Sequence, residues 1–440
     1  MSKPLVAIVG RPNVGKSTLF NRLAGKRISI VEDIPGVTRD RIYADAEWLD
    51  RHFTIIDTGG LDPDSDDIFF TNMMNQAIIA METCDVIVFI TDVKTGITEA
   101  DAQVADILRR HKKPVVLAVN KADDILKGEL EAYEFYELGL GAPIAISAGQ
   151  MLGLGDLLDA VVAHFPPKNP AEDDEDIIKV AIVGKPNVGK SSLLNRLLGE
   201  ERSIVSDIPG TTRDAVDAFL TREGQRYMFI DTAGIRKKSK IKENIERYSI
   251  VRAIAAIERA DVCILVIDAQ EGVTEQDAKI AGIAREGGKA AIILTNKWDI
   301  PEKDNSTMKK HLERIEAELS WLSYAPRMFV SAKTGQRVTQ IFETVNAVSQ
   351  NHSLRVQTGI LNDVLIEAMA VTPPPSDKGK QLRIYYATQA SVRPPTFVLF
   401  VNDGELFHFS YKRFIENKLR QAFGFAGTPI RLVVRNKNKD

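Results

Sequence analysis

Two stretches of this chain order glycine, lysine and serine in a way suited to gripping a polyphosphate. Gly10-Arg11-Pro12-Asn13-Val14-Gly15-Lys16-Ser17 recurs as Gly184-Lys185-Pro186-Asn187-Val188-Gly189-Lys190-Ser191. The spacing GxxxxGK[ST] lets backbone N–H groups wrap phosphate oxygens, because glycine has no Cβ to hold them away. Lys16 and Lys190 are placed to reach the β- and γ-oxygens, and the hydroxyls of Ser17 and Ser191 to bind Mg²⁺. A glycine-rich turn before a helix is the bland explanation of one match. Two matches, each between an apolar strand and a helical stretch, count heavily against it.

Two further sites follow each phosphate loop in the same order. Asp57-Thr58-Gly59-Gly60 and Asp231-Thr232-Ala233-Gly234 come directly after apolar strands. The aspartates would hold Mg²⁺ through water, and the Gly60 and Gly234 N–H groups would sense a γ-phosphate and move when it leaves. Between loop and aspartate lie PGVTRD and PGTTRD, whose Thr38 and Thr212 could bond Mg²⁺ only in the triphosphate state. The residues after the glycines are Leu61 and Ile235. Neither can orient an attacking water as a glutamine at that place does in many GTPases.

The base is read by Asn120-Lys121-Ala122-Asp123 and Asn296-Lys297-Trp298-Asp299. A carboxylate accepts two hydrogen bonds from guanine, at N1–H and the exocyclic amine. Adenine offers neither donor there, so the acid would be left unpaired. Ser147-Ala148 and Ser331-Ala332 would support the guanine carbonyl through backbone N–H. The ligand expected at both sites is GTP or GDP.

These groups need a scaffold that brings strand ends together. The offset between copies is 174 residues at Gly10/Gly184 and at Asp57/Asp231, 176 at Asn120/Asn296, and 184 at Ser147/Ser331. So long a period means duplicated domains. Each copy alternates short apolar strands (LVAIVG, FTIID, VIVFITD, VVLAVNK and PIAIS in the first) with amphipathic helical stretches. Continuous Val/Ile/Leu runs fit strands buried on both faces of a mostly parallel α/β sheet, with ligands at the carboxyl ends of the strands. The expected organisation is one GTPase domain at 1–165, an acidic Pro-rich linker at 166–176, a second GTPase domain at 177–353, and a C-terminal domain at 354–440. The last reads α-β-β-α-β, a small α+β fold with no phosphate loop.

Charge is unevenly shared. Residues 1–165 carry 16 Lys/Arg against 25 Asp/Glu, whereas 354–440 carry 13 against 7, a net of +6. The basic back half suggests a polyanionic partner, with scattered solvated charge as the plain alternative. Cys84 and Cys263 lie at apolar strands without CxxC partners and are expected to be reduced and buried. No apolar run approaches the ~20 residues of a membrane span, and no signal-like segment precedes the first strand, so a soluble cytoplasmic protein is expected.

With both sets of motifs in this order, the sequence resembles the bacterial tandem GTPases of the Der (EngA) family, ribosome-assembly GTPases of the translation-factor-like class. The likeness covers essentially the whole chain and implies a KH-like C-terminal domain. It also implies a role in maturing the large ribosomal subunit, with nucleotide state controlling attachment to the precursor and its rRNA. The chain is expected to be monomeric off the ribosome. In GTPases that this chain resembles, an asparagine at the place of Asn13 and Asn187 helps hold an activating K⁺. Gly424-Phe425-Ala426-Gly427 spells the GxxG clamp of RNA-binding KH modules, but it follows a helix and precedes a strand, where a helix-capping glycine is the simpler reading. The run Arg236-Lys237-Lys238-Ser239-Lys240-Ile241-Lys242 is a candidate nucleotide-gated rRNA contact; the first copy has Leu61-Asp62-Pro63-Asp64-Ser65-Asp66-Asp67 in its place. A scaffold in which one domain hydrolyses and the other only binds nucleotide stays open.

Overall fold

A computed structural model of the chain describes residues 3–24, 43–57, 77–78, 80–81, 83–111, 113–165, 177–199, 217–230, 245–302, 306–377 and 380–437. It divides into two compact units, residues 1–174 with 247–255 and residues 175–246 with 256–440.

In the first unit six strands form one sheet: β1 (Leu5–Val9), β2 (Tyr43–Trp48), β3 (Arg51–Asp57), β4 (Val86–Asp92), β5 (Val115–Asn120) and β6 (Ile144–Ala145). The order is β2-β3-β1-β4-β5-β6, parallel throughout except for β2, which runs antiparallel to β3. Every residue of β4 is buried, as its unbroken apolar run requires of an inner strand. Val6, Ile8, Phe53, Ile55, Val88 and Leu157 form part of the core between sheet and helices. The helix Glu99–Arg110 starts at a reciprocal cap, in which Thr98 takes the Asp101 N–H and Asp101 takes the Thr98 N–H.

The second unit repeats this plan with β7 (Ile177–Val183), β8 (Ala218–Arg222), β9 (Gln225–Ile230), β10 (Val262–Asp268), β11 (Ala290–Asn296) and β12 (Arg327–Phe329). Its order, β8-β9-β7-β10-β11-β12, again has one antiparallel edge strand, β8. The helix Glu275–Glu286 opens on the same cap, Thr274 with Asp277. The antiparallel edge strands β2 and β8 are absent from the strands read in the sequence. Their half-exposed residues, YADAEW and AFLTR, lack the continuous apolar run of the inner strands.

The C-terminal domain belongs to this second unit. A short ladder of β13 (Ser376–Asp377) and β14 (Lys380–Gln381) precedes a three-stranded sheet of β15 (Ile384–Ser391), β16 (Thr396–Val401) and β17 (Arg431–Asn436). β15 pairs antiparallel and β17 parallel with the central β16. The helices Thr358–Val371 and Phe409–Phe423 bury Leu361, Leu365, Ile415 and Leu419 against Phe397 and Leu399 on one face of it. The expected α-β-β-α-β order is therefore present, with the β13–β14 ladder added.

The GxxG segment joins this domain to the G domain before it. Gly424, at φ 88°, caps the helix through its N–H to Arg420 O. Gly427, at φ +79°, donates its N–H to Tyr324 O (2.8 Å) and accepts from Ala291 N–H (2.7 Å). A Cβ on Gly427 would lie 2.3 Å from a Val348 methyl. Around it, Asn351 donates to Ala426 O, His352 shares a buried 2.7 Å hydrogen bond with Thr428, and the Arg420 guanidinium lies 4.6 Å from the Tyr324 ring centroid. Burial pushes the His352 imidazole down to about 3, so at neutral pH it joins this contact uncharged.

Candidate nucleotide sites

Each phosphate loop runs from a buried strand into a helix, Lys16–Leu23 in the first unit and Lys190–Gly199 in the second. Gly15 and Gly189 adopt φ +99° and +97°, a region that disfavours side chains, and a Cβ on either would come within 2.3 Å of the Asn120 or Asn296 amide. Asn13 and Asn187 are also left-handed, at φ 64° and 66°, and their side chains are exposed. Val14 and Val188 point into the cores.

Asn120 and Asn296 stitch two loops together. Asn120 Nδ2 donates to Val14 O (2.6 Å), and its Oδ1 accepts the Ala148 N–H (2.9 Å). Asn296 does the same with Val188 O (2.9 Å) and Ala332 N–H (3.0 Å). The phosphate loop and the loops expected to read the base are thus held in register by one side chain, buried at the end of β5 or β11. The Ala148 and Ala332 N–H groups expected to face guanine are engaged by these asparagines.

The acids Asp123 and Asp299 each accept a serine hydroxyl, from Ser147 (2.9 Å) and Ser331 (2.5 Å). Lys121 and Lys297, both left-handed, pair with the buried carboxylates Asp92 and Asp268 at 2.6 Å. The residues between lysine and acid face protein. Ala122 is buried, and Trp298 packs 4.4 Å from Phe329 and 5.1 Å from His311 between ring centroids. The apolar side chains of Ala122 and Trp298, both expected at the nucleotide, are buried beneath the loop and anchor it.

Lys16 and Lys190 lie folded over their own loops. Lys16 Nζ donates to Gly10 O (2.7 Å) and Arg11 O (2.8 Å), and Lys190 Nζ to Gly184 O and Lys185 O (both 2.6 Å). Burial lowers each ammonium to about 8, with Asp57 partly opposing the shift at Lys16. These carbonyls hold each cation at the mouth of the loop, where a polyphosphate would replace the missing counter-charge. Ser17 Oγ donates to Asp57 Oδ2 at 2.9 Å. A hydroxyl and a buried carboxylate converging beside the phosphate loop form an oxygen donor set that fits a hard divalent cation such as Mg²⁺.

Thr38, Thr58, Gly59, Gly60, Leu61, Thr212, Asp231, Thr232, Ala233, Gly234 and Ile235 lie outside the described residues, as do the runs 62–67 and 236–242.

The structure adds residues that the motifs did not reveal. Lys94 Nζ meets Asp123 Oδ2 at 2.7 Å, and this hydrogen bond, ahead of that from Ser147, lowers the Asp123 carboxyl. The corresponding residue in the second domain is Gln270, two places after Asp268 as Lys94 is after Asp92. Behind each phosphate loop stands the fully buried capping acid. Asp101 lies 3.3 Å from Arg11 Nε, and Asp277, raised chiefly by burial, feels the charge and backbone N–H of Lys185. The repeated Thr-x-x-Asp at 98–101 and 274–277 was the available signal, but its reach to residues 11 and 185 exists only in the fold.

Comparison with known proteins agrees with this geometry. The family described as 50S ribosome-binding GTPase matches residues 5–121 and 179–297, and the KH-domain-like C-terminal family of EngA bacterial GTPase enzymes matches residues 355–435. The chain is similar to GTPase Der of Agathobacter rectalis, 61% identical over 440 residues, and to GTPase Der of Lachnoclostridium phytofermentans, 60% over 440, with 100% of each chain covered in both cases. GTPase Der of Acetivibrio thermocellus is 59% identical over 442 residues, again across 100% of each chain. The chain belongs to the Der (EngA) family of bacterial GTPases and is a GTP hydrolase with two P-loop G domains and a KH-like C-terminal domain.

Proposed function

We propose that this chain acts in maturation of the large (50S) ribosomal subunit, attaching to its precursor and rRNA according to the nucleotide held in its two G domains. The observation that carries this reading is the match of both G domains to the ribosome-binding GTPase family, joined to a C-terminal segment of net charge +6. A basic domain suits a polyanionic partner. Among the described residues no helix is long and apolar enough to cross a membrane. The chain works in the cytoplasm and is a monomer off the ribosome.

In this reading Lys16 and Lys190 neutralise the β- and γ-phosphates, and Asp123 and Asp299 select guanine. Ser17, Ser191, Asp57 and Asp231 would hold Mg²⁺, which would supply charge that offsets what builds on the phosphoryl oxygens. Water attacks the γ-phosphorus, the bond to the β–γ bridging oxygen breaks, and GDP and phosphate leave. Thr38, Thr212, Gly60 and Gly234 register that loss. Leu61 and Ile235 cannot orient the water, and the exposed carboxamides of Asn13 and Asn187 are the ligands proposed for an activating K⁺. Equal hydrolysis in K⁺ and Na⁺ at matched ionic strength would remove that cation from the mechanism.

The test of function is co-sedimentation of the full chain with ribosomal subunits in a GTP analogue, in GDP and without nucleotide. Nucleotide-dependent recovery with the large subunit or its precursor is expected. Recovery with neither subunit in any state rejects the reading.

A further inference from the structure

An RNA-binding KH module grips backbone with an exposed GxxG loop. Here that loop is occupied. Both backbone groups of Gly427 bond to the preceding G domain, Ala426 O accepts from Asn351, and Phe425 is fully buried. The opposite face of the small sheet is half-exposed among the described residues. Its helices cover the side carrying Phe397, Leu399 and Leu432, and the strand alternation turns a second set outward.

The register puts that set in rows. Tyr386 pairs with Phe400, which pairs with Arg435; Thr388 pairs with Val398, which pairs with Val433. None of these six is acidic. The Tyr386 and Phe400 rings stack on one another, centroids 4.4 Å apart and planes within 16°. Tyr386 remains 42% exposed and Val433 39%. Beside them Lys437 Nζ lies 5.1 Å from the centroid of the half-exposed Tyr385 ring. Arg431, the next outward residue of β17, already bonds Glu286 O and serves docking.

We propose that this outer face, centred on Tyr386, Phe400 and Arg435, is a stacking platform for single-stranded RNA, replacing the clamp that domain docking has occupied. The inference rests on the rRNA-binding reading above and assigns it a surface. The exposed Tyr386 ring, stacked on Phe400, presents an outer face on which unpaired bases extend the stack whatever their sequence. Arg435 stands beside Phe400 in the same row, able to stack and to meet phosphate, and Lys437 adds a second cation. A double helix hides its base faces, so the platform selects unpaired strands. A protein partner of an aromatic patch is the competing occupant. The cations and the absence of acids in the two rows favour a nucleic acid.

The test is fluorescence anisotropy of the full chain with a labelled single-stranded oligouridylate and with a blunt RNA duplex. Tyr386→Ala with Phe400→Ala should weaken single-strand binding at least about tenfold and leave duplex binding unchanged. Tyr386→Phe with Phe400→Trp should keep it. Arg435→Gln should reduce the slope of log affinity against log salt by about 0.7. GTP hydrolysis and the thermal unfolding midpoint confirm that the variants are folded. Unchanged single-strand affinity in the double alanine variant overturns the platform. So does an equal loss on duplex, which would mean charge without stacking. If the alanine variant loses instead a ribosomal protein contact, the face is a protein interface and the proposal also falls. Failure of the unaltered chain to co-sediment with any ribosomal particle would reject the functional reading, a separate result.

Discussion

The two G domains repeat one another down to single hydrogen bonds, yet they differ around the acid proposed to read the base. Both use an asparagine to tie the phosphate loop to the base-reading loops, and both fold the loop lysine onto the same pair of carbonyls. The first places Lys94 against Asp123, the acid proposed to read guanine; the second has Gln270 in the corresponding position. The first braces its loop with Arg11 against Asp101, whereas in the second Lys185 also pairs with Glu271. Duplication has kept the phosphate grip, where backbone geometry leaves little choice, and has let the surrounding charges diverge. The domains should therefore share chemistry and differ in how tightly and with what salt sensitivity they hold nucleotide.

The largest expected effect tests the shared part. Asp123→Asn or Asp299→Asn removes the charge and turns one of the two acceptor oxygens proposed for guanine into a donor. GTP affinity should fall by about 10²- to 10⁴-fold at the altered site alone, and xanthine nucleotides should be admitted there. Calorimetry should find two guanine nucleotides per unaltered chain and one per variant; a single nucleotide on the unaltered chain would defeat the two-site reading.

Next comes the stitch. Gly15→Ala and Gly189→Ala each drive a methyl into the asparagine amide and force a residue with a side chain to φ near +100°. Because the asparagine holds both loops, phosphate and base contacts should fail together, by about tenfold or more in GDP affinity at that site. A variant that lost GTP affinity but kept GDP would show that the loops move independently.

A third outcome follows from Lys16 and Lys190, both near 8 before nucleotide arrives. A bound phosphate favours the ammonium and raises its pKa, so binding takes up a proton once the free lysine is neutral. Affinity should be full below about pH 8 and fall about tenfold per pH unit above it. In Lys16→Arg, whose guanidinium stays charged, the first domain's share of this slope should vanish. A slope that persists there belongs to another group.

The smallest effect is the one that separates the domains. Lys94 and its partner Asp123 are both exposed to solvent, so their pairing is worth little and is screened by salt. Replacing Lys94 by Gln, as in the second domain, should raise first-domain GDP affinity about two- to fivefold at low salt and not at high salt. Calorimetry at two ionic strengths reads it. A drop in affinity would mean that Lys94 helps hold the nucleotide and does not compete with it.

The sequence by itself determined the parts that are local in the chain. A phosphate grip is made by consecutive backbone N–H groups, so its glycines, lysine and serine must be adjacent, as Gly10 to Ser17 are. The proposed two-hydrogen-bond base reader needs one acid at a fixed strand end, and Asp123 follows β5. Inner strands such as Val86–Asp92 announce themselves because burial on both faces demands an unbroken apolar run. What only the tertiary structure decided concerns residues far apart in sequence or ambiguous in composition. Edge strands β2 and β8 are half-exposed, so their mixed residues carry little periodic signal. Lys94 reaches Asp123 because β4 and β5 are parallel neighbours, and Arg11 reaches Asp101 because β1 and β4 are. The GxxG spelling is the clearest case. Its first glycine could be read as a helix cap from the sequence, but the use of its last was unreadable. Gly427 meets Ala291, Tyr324 and Val348, more than 70 residues away, and no local pattern encodes a contact whose partner is another domain.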